Sequence, residues 1–315
     1  MTIKEIYAGY LFVHFTDDEG QGGGEEIYFA LSQGNDPLHW QELNGGKPVL
    51  VSQLGEKGVR DPFIIRSPHG DKFFLLGTDL KAHGGGGDWS RAVNEGSRSI
   101  LIWESQDLIH WSEQRMAQVA PPDAGCVWAP EAFYDADSEQ YFVYWASMLG
   151  DKEAERDKGR YHRMLVARTK DFVNFSEPEV YIDYGVSVID TTMIQEGGRI
   201  FRFSKKEGLT SVFQETGNSF FDPNFTPIRE NIGQEWMKRG EGPIVFKSNE
   251  EDKWYLFIDE YGFRGYLPLV TTDLNSGVWT MPAEFSLPTK PRHGSVMPLT
   301  CSDYKRLLTH YGRDL

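Results

Sequence analysis

The chain has 315 residues, 39% hydrophobic and 25% charged, a balance that excludes a disordered chain and fits a folded globular one. Its 32 Lys+Arg against 47 Asp+Glu give a net charge of −15, which disfavours nucleic acid and anionic membranes as partners and leaves a neutral substrate unaffected. The two cysteines, Cys126 and Cys301, both stand in apolar contexts and read as free buried thiols, not as a disulfide framework.

The start, Met1 to Ile6, lacks a basic stretch leading into an apolar one. No run of about 18 apolar residues follows anywhere. The expectation is therefore a cytoplasmic chain with no signal peptide and no membrane span. Tyr10-Leu11-Phe12-Val13-His14-Phe15 is a strand with no preceding partner. Ile27-Tyr28-Phe29-Ala30-Leu31-Ser32 then leads to Trp40. That unit, a β-rich run followed by a polar turn and an aromatic, returns as Ile100–Ser105 to Trp111 and as Met164–Thr169 to Phe175. It returns again, more weakly, as Ser211–Phe213 to Phe225, and finally as Leu269–Thr272 to Trp279. The spacing, about 50 to 70 residues, is that of one four-stranded propeller blade or slightly more.

Before most of these units lies a second one, a strand, a turn and an aromatic strand. It runs Pro62–Ile65 to Lys72–Leu76, Glu131–Tyr134 to Tyr141–Trp145, Thr192–Ile194 to Ile200–Phe203, and Pro243–Phe246 to Trp254–Phe257. Ser295–Leu299 has no later partner, so it completes a blade with the unpartnered N-terminal run. The prediction is an all-β fold, a five-bladed β-propeller whose ring is closed by N- and C-terminal strands sharing one blade, as a single domain over residues 1–315. The glycine-rich stretches Gly20–Gly24 and Gly84–Gly87 read as surface loops, and neither carries the Lys-Ser/Thr of a phosphate-binding loop. Trp40, Trp111 and Trp279 recur at the outer turns and read as packing between sheets.

The first strand of each blade lines a propeller's axis, so residues at the five strand starts converge. Those starts are Asp61-Pro62, Pro130-Glu131, Asp190-Thr191, Glu241-Gly242-Pro243 and His293-Gly294-Ser295, placing carboxylates in four and a histidine in the fifth. A ring of like charges is costly for structure alone, since desolvation and repulsion both oppose ionisation. Such rings occur at functional sites, where neighbouring carboxyl pKa values are pushed apart to give an acid and a base. Glycoside hydrolysis needs that equipment, one carboxylic acid on the leaving oxygen and one carboxylate on water or the sugar.

Arg60-Asp61-Pro62, Trp128-Ala129-Pro130-Glu131, Ile189-Asp190, Glu241-Gly242-Pro243 and Arg292-His293-Gly294-Ser295, in this order, resemble glycoside hydrolase family 43. Ser105-Gln106-Asp107-Leu108-Ile109-His110-Trp111 is similar to that family's recurrent blade-end motif. The resemblance implies a five-bladed propeller of inverting enzymes acting on arabinans, xylans and related glycans. It implies Asp61 as general base, Asp190 as the residue that tunes and aims the acid, and Glu241 as general acid. It matches His293 to an axial histidine that supports the site through water or, in some members, a calcium ion. No cofactor is required, and a structural Ca²⁺ at the axis is the one metal it allows. The family usually follows the second aspartate with Pro, where this chain has Thr191.

Each candidate has a plainer reading. Asp61 before Pro62 suits a turn, Glu241 between two glycines suits a surface loop, and Asp190 suits a loop cap. Glu131 contacts substrate or hydrogen-bonds within its blade. His293 is axial or a satisfied core histidine, and His14 reads as structural. Trp128 stacks on a sugar or fills the gap between blades. Trp89 reaches over the pocket from its glycine-rich loop. Arg264 holds sugar hydroxyls or makes a surface salt bridge. The activity expected is an exo-acting α-L-arabinofuranosidase on short oligosaccharides, with a β-xylosidase, an exo-galactanase or a non-catalytic sugar-binding propeller as rivals.

Overall fold

The computed structural model describes residues 6–16, 24–82, 88–150 and 159–312. The stretch Gly84–Gly87 and most of Gly20–Gly24 lie outside the described residues.

The strands form five antiparallel sheets in chain order. The first holds β1 (Tyr7–Thr16), β2 (Tyr28–Gln33) and β3 (Asp36–Glu42); the second β4 (Val59–Arg66), β5 (Phe73–Asp79), β6 (Ser99–Ser105) and β7 (Arg115–Gln118). The third holds β8 (Trp128–Asp135), β9 (Gln140–Leu149), β10 (Tyr161–Thr169) and β11 (Glu179–Ile182); the fourth β12 (Val188–Glu196), β13 (Arg199–Lys206), β14 (Val212–Gly217) and β15 (Thr226–Ile232). The fifth has β16 (Glu241–Lys247), β17 (Trp254–Glu260) and β18 (Gly265–Thr271), with Thr280 exchanging two backbone hydrogen bonds with Val270 where a fourth strand would lie. The last strand, β19 (Pro291–Thr300), returns to pair with β1, Val13 opposite Ser295 and Leu11 opposite Met297. The chain end thus supplies the inner strand of the first blade, and the five-bladed ring closes as the sequence predicts.

The apolar runs are continuous because each blade is covered on both faces. Along β1, Leu11 and Val13 pack with Val59, Ile64 and Leu75 of the second blade. Tyr10 and Phe12, pointing the other way, pack with Ile244, Phe246 and Phe257 of the fifth. Burying each such side chain contributes about 1.5–3 kcal/mol. Trp40 and Trp279 are buried and Trp111 packs edge-on to Phe29, so the outer tryptophans fill the seams between blades.

The repeated blade-end motif has a hydrogen-bond logic. Ser105 Oγ accepts from the Asp107 and Leu108 amides at 3.1 and 2.9 Å, and Asp107 Oδ1 from Ile109 and His110 at 2.9 and 2.8 Å. Those bonds hold buried Leu108 at a φ of 66°, with its side chain in the core. Thr169, Asp171 and Phe172 repeat the arrangement two strands after the next blade begins.

Two features depart from expectation. Cys126 is buried but Cys301 is exposed, because it opens a helix, α2 (Cys301–Tyr311), that the sequence reading did not foresee. Thr300 caps α2, Leu307 enters the core, and Asp303 accepts from Arg66 of the second blade at 2.8 Å. The helix therefore bolts the closing blade to its neighbour. A shorter helix, α1 (Trp89–Asn94), precedes β6. Among the described residues no helix is long and apolar enough to cross a membrane.

Candidate active site

All five inner strands are bulged at one level. The register slips by one residue between Arg60 and Phe63 in β4, Trp128 and Glu131 in β8, Ile189 and Thr192 in β12, and Glu241 and Ile244 in β16. It slips again in β19, at His293. A bulge ends regular pairing and re-aims the side chains beside it. In four strands one residue of the bulge adopts left-handed backbone: Asp61 (φ 49°), Ala129 (φ 48°), Asp190 (φ 53°) and Gly242 (φ 52°).

This corrects the expected register of acids. Strictly equivalent positions hold Asp61, Ala129, Asp190 and Gly242, so only two of them are carboxylates. Glu241 stands one residue before its bulge position, and Glu131 two residues after. Aspartate tolerates left-handed backbone better than most residues do. Gly242 is required doubly, by its φ and because a Cβ there would lie 2.8 Å from His293 Cγ. Thr191, in place of the family's proline, is fully buried and shares a 2.8 Å hydrogen bond with Ser204 of β13.

Asp61, Asp190, Glu241, His293 and Trp128 line one cavity of about 490 Å³. Asp61 Oδ2 accepts from Thr78 Oγ1 at 2.8 Å, and Oδ1 lies 3.5 Å from His293 Nδ1. The same nitrogen is 3.9 Å from Asp190 Oδ1, while Asp190 Oδ2 accepts from the Gly242 amide at 3.1 Å. Glu241 Oε1 accepts from Arg292 at 3.3 Å, and Arg292 Nε makes the closer contact, 2.5 Å, to Asp259, whose carboxyl burial pushes up to about 8.

These contacts separate the carboxyls. Burial opposes ionisation of Asp61, yet the hydrogen bond and charge of His293, with Arg60 and Thr78, outweigh it and hold the carboxyl below its usual range. Burial and the negative charges of Asp190 and Asp259 push Glu241 well above. Burial likewise raises Asp190, with Asp61 adding and His293 opposing. Burial disfavours charge on His293, but Asp61 and Asp190 overcome this and raise it to about 9, so the ring is a cation near neutral pH. A cationic imidazole is no metal ligand, and calcium takes six to eight oxygens. Among the described residues no cluster of three or more His, Cys, Asp or Glu side chains is arranged to hold a metal. Among the described residues His293 thus has no preformed metal-holding cluster of carboxylates beside it for the axial calcium ion that the resemblance allows.

Two expected contacts are absent. Glu131 is buried outside the cavity lining and its Oε2 accepts from Tyr144 Oη at 2.9 Å; burial raises its carboxyl to about 7. It points down into its blade because it sits two residues past the bulge. Arg264 is also outside the lining, paired with Glu260 at 2.6 Å and donating to the Trp236 carbonyl, so the surface salt bridge wins.

Trp128 stacks on His162 with ring centres 5.2 Å apart, and Trp89 meets Trp128 edge-on at 6.3 Å, both lining the cavity. Arg60 and Arg292, which flank Asp61 and His293 in the sequence motifs, both line the cavity, as do Phe15 and Tyr261. Asp259 was missed altogether. No sequence pattern marks it; the strand pairing places it on β17 directly opposite Glu241.

The sequence profile described as a probable glycosyl hydrolase domain matches residues 5–305. An α-L-arabinofuranosidase of Bifidobacterium longum subsp. longum is 31% identical over 315 residues, a match covering 87% of this chain and 29% of that protein. The chain thus spans less than a third of that relative's length. A family-43 β-1,3-galactosidase superposes with a TM-score of 0.57 at 12% identity, over 85% of this chain and 55% of the other. A thermostable family-43 glycoside hydrolase superposes at 0.52 and 18% identity, over 78% and 81%. At these identities the two structures are alike in fold alone.

Proposed function

The chain belongs to glycoside hydrolase family 43, and from that we propose an exo-acting, inverting glycosidase that releases terminal α-L-arabinofuranose from arabino- or arabinoxylo-oligosaccharides. The observation that carries the mechanism is the opposite bias of two carboxyls in one cavity. Asp61, held ionised, draws a proton from water as that water attacks the anomeric carbon. Glu241, held protonated, gives its proton to the departing oxygen. Asp190, on β12 beside β16, raises Glu241 by its charge, while His293 ties Asp61 and Asp190 into one network. Trp128 and Trp89 offer ring surface to the sugar. The pentose preference is supported by the arabinofuranosidase relative.

The experiment is a panel of nitrophenyl α-L-arabinofuranoside, β-xyloside and β-galactoside, with proton NMR of the first anomer released. The arabinofuranoside is expected to turn over fastest and to give the inverted anomer. A faster β-xyloside or β-galactoside replaces the sugar assignment. A retained anomer removes Asp61 from the role of base.

A further inference from the structure

The turn between β17 and β18 borders the cavity through Tyr261 and Gly262. Against it stand two cations from the segment before β16. The Lys238 ammonium lies 4.7 Å from the centre of the Phe263 ring. The Arg239 guanidinium lies 4.1 Å from the centre of Tyr261 and 4.9 Å from that of Phe263. Arg239 Nε donates to the Tyr261 carbonyl at 2.8 Å. Its Nη2 sits 2.4 Å from where a Cβ on Gly262 would be, so the guanidinium lies against a residue of the cavity wall.

An aromatic face holds a cation without neutralising it. Elsewhere in this acidic chain Arg66, Arg91, Arg163 and Arg202 each meet a carboxylate. Among the described residues neither Lys238 nor Arg239 has a carboxylate oxygen within 4.0 Å of its charged nitrogens. Glu260, the acid that reaches this segment, is occupied by Arg264 at 2.6 Å and by the Lys238 amide at 2.8 Å. Beside the two cations Phe263 leaves 53% of its surface in solvent. The rim therefore joins positive charge that has no carboxylate within ion-pair distance to a half-exposed aromatic ring, at the mouth of a cavity whose own acids repel anions.

A uronic acid matches that pairing. Its ring presents C–H groups to an aromatic face, and its carboxylate suits the paired donors of a guanidinium. We propose that Arg239 and Lys238, with Phe263, bind the carboxylate of a uronic acid residue in the part of the substrate that remains outside the cavity. The enzyme then acts on acidic oligosaccharides, the cleaved sugar being a neighbour of the uronate. This rests on reading the cavity as the glycosidase site.

The test compares arabinofuranosylated oligosaccharides carrying a glucuronate with the same compounds after reduction of the carboxyl to a neutral hexose, and with a sulfated neutral counterpart. Wild type is expected to favour the uronate about tenfold in kcat/KM, mainly through KM, with the preference fading at high salt. Arg239→Gln should collapse the uronate-to-reduced ratio toward one, and Arg239→Lys should keep part of it. Lys238→Gln, at an exposed position, is the second variant should Arg239→Gln fail to fold. Equal wild-type rates on uronate and reduced substrates overturn the proposal, as does an equal loss on both in Arg239→Gln or a preference for the sulfated compound. If wild type cleaves none of these sugars, the activity reading fails, and calorimetric titration of the same uronate and reduced compounds still decides the binding claim.

Discussion

Asp61 and Glu241 face one cavity from β4 and β16, the two inner strands that flank β19, yet their surroundings are opposite. On the β4 side a histidine cation, an arginine and a hydroxyl gather around Asp61 and favour its charge. On the β16 side Asp190 and Asp259 face Glu241 and outweigh the opposing charge of His293, while Arg292 lies closer to Asp259 than to Glu241. Both strands carry the same bulge. Residue type does not distribute the roles of base and acid; the sign of the charges brought in by neighbouring blades does.

Removing either carboxyl is the strongest way to break this comparison. Asp61→Asn and Glu241→Gln should each lower kcat by about a thousandfold. They should differ in their dependence on the leaving group. A nitrophenyl group departs without a proton, so the Glu241→Gln deficit should shrink at least roughly tenfold on aryl glycosides relative to oligosaccharides. The Asp61→Asn deficit should be the same on both. Kinetics on the two substrate classes check it, and identical deficits for the two variants would erase the distinction between the sides.

The pH profile sharpens the comparison at smaller amplitude. Asp61 must be ionised, so kcat/KM falls as pH drops through its depressed pKa. Glu241 must be protonated, so kcat/KM falls as pH rises through its raised one. Asp190→Asn removes a charge that raises Glu241 and should move the alkaline limb down. His293→Gln removes the cation that holds Asp61 down and also opposes the rise of Glu241, so both limbs should move up. Limbs that stay in place in both variants would show that these charges do not set the roles.

The ring was legible because blade repetition is a pattern of apolar runs and turns, and closure followed from two unpaired end strands. Asp61, Asp190 and Glu241 were legible because each stands at the start of an inner strand. The exact register was not, since a bulge leaves no mark in composition and only the backbone shows that Gly242, not Glu241, is the counterpart of Asp190. Asp259 and Arg292 were illegible as a pair, because their contact joins the fifth blade to the closing strand. The end helix went unread as well, its polar face and single buried leucine giving a weak pattern.

Glu131 separates a buried carboxyl below the cavity from those within it. Glu131→Gln keeps an acceptor for Tyr144 and should leave kcat/KM within about threefold, an isosteric change at a group that does not touch substrate. Its effect belongs to stability. Burial raises this carboxyl from 4.5 to about 7, so the folded state holds a proton that the unfolded chain has lost. Wild type therefore loses stability as pH rises across that interval, and Glu131→Gln should flatten the slope in denaturant titrations. An unchanged slope would mean that the carboxyl is ionised in place.

Arg264→Ala is the smallest change and tests whether the fifth blade's turn serves the cavity through this arginine. The Arg264 side chain is 53% exposed and its partner Glu260 is 3% exposed, so one member of the pair is wet and the other dry. Water screens the exposed end, which limits the pair's worth, while Glu260 keeps the Lys238 amide as a second donor after the substitution. The expected loss is about 1 kcal/mol in denaturant midpoints, with KM unchanged within about twofold. A rise in KM without a loss of stability would return Arg264 to the substrate contacts, and would show that the turn moves inward when sugar binds. The geometry argues otherwise, since the guanidinium is anchored at both the Glu260 carboxylate and the Trp236 carbonyl and is outside the cavity lining to which Tyr261 and Gly262 belong.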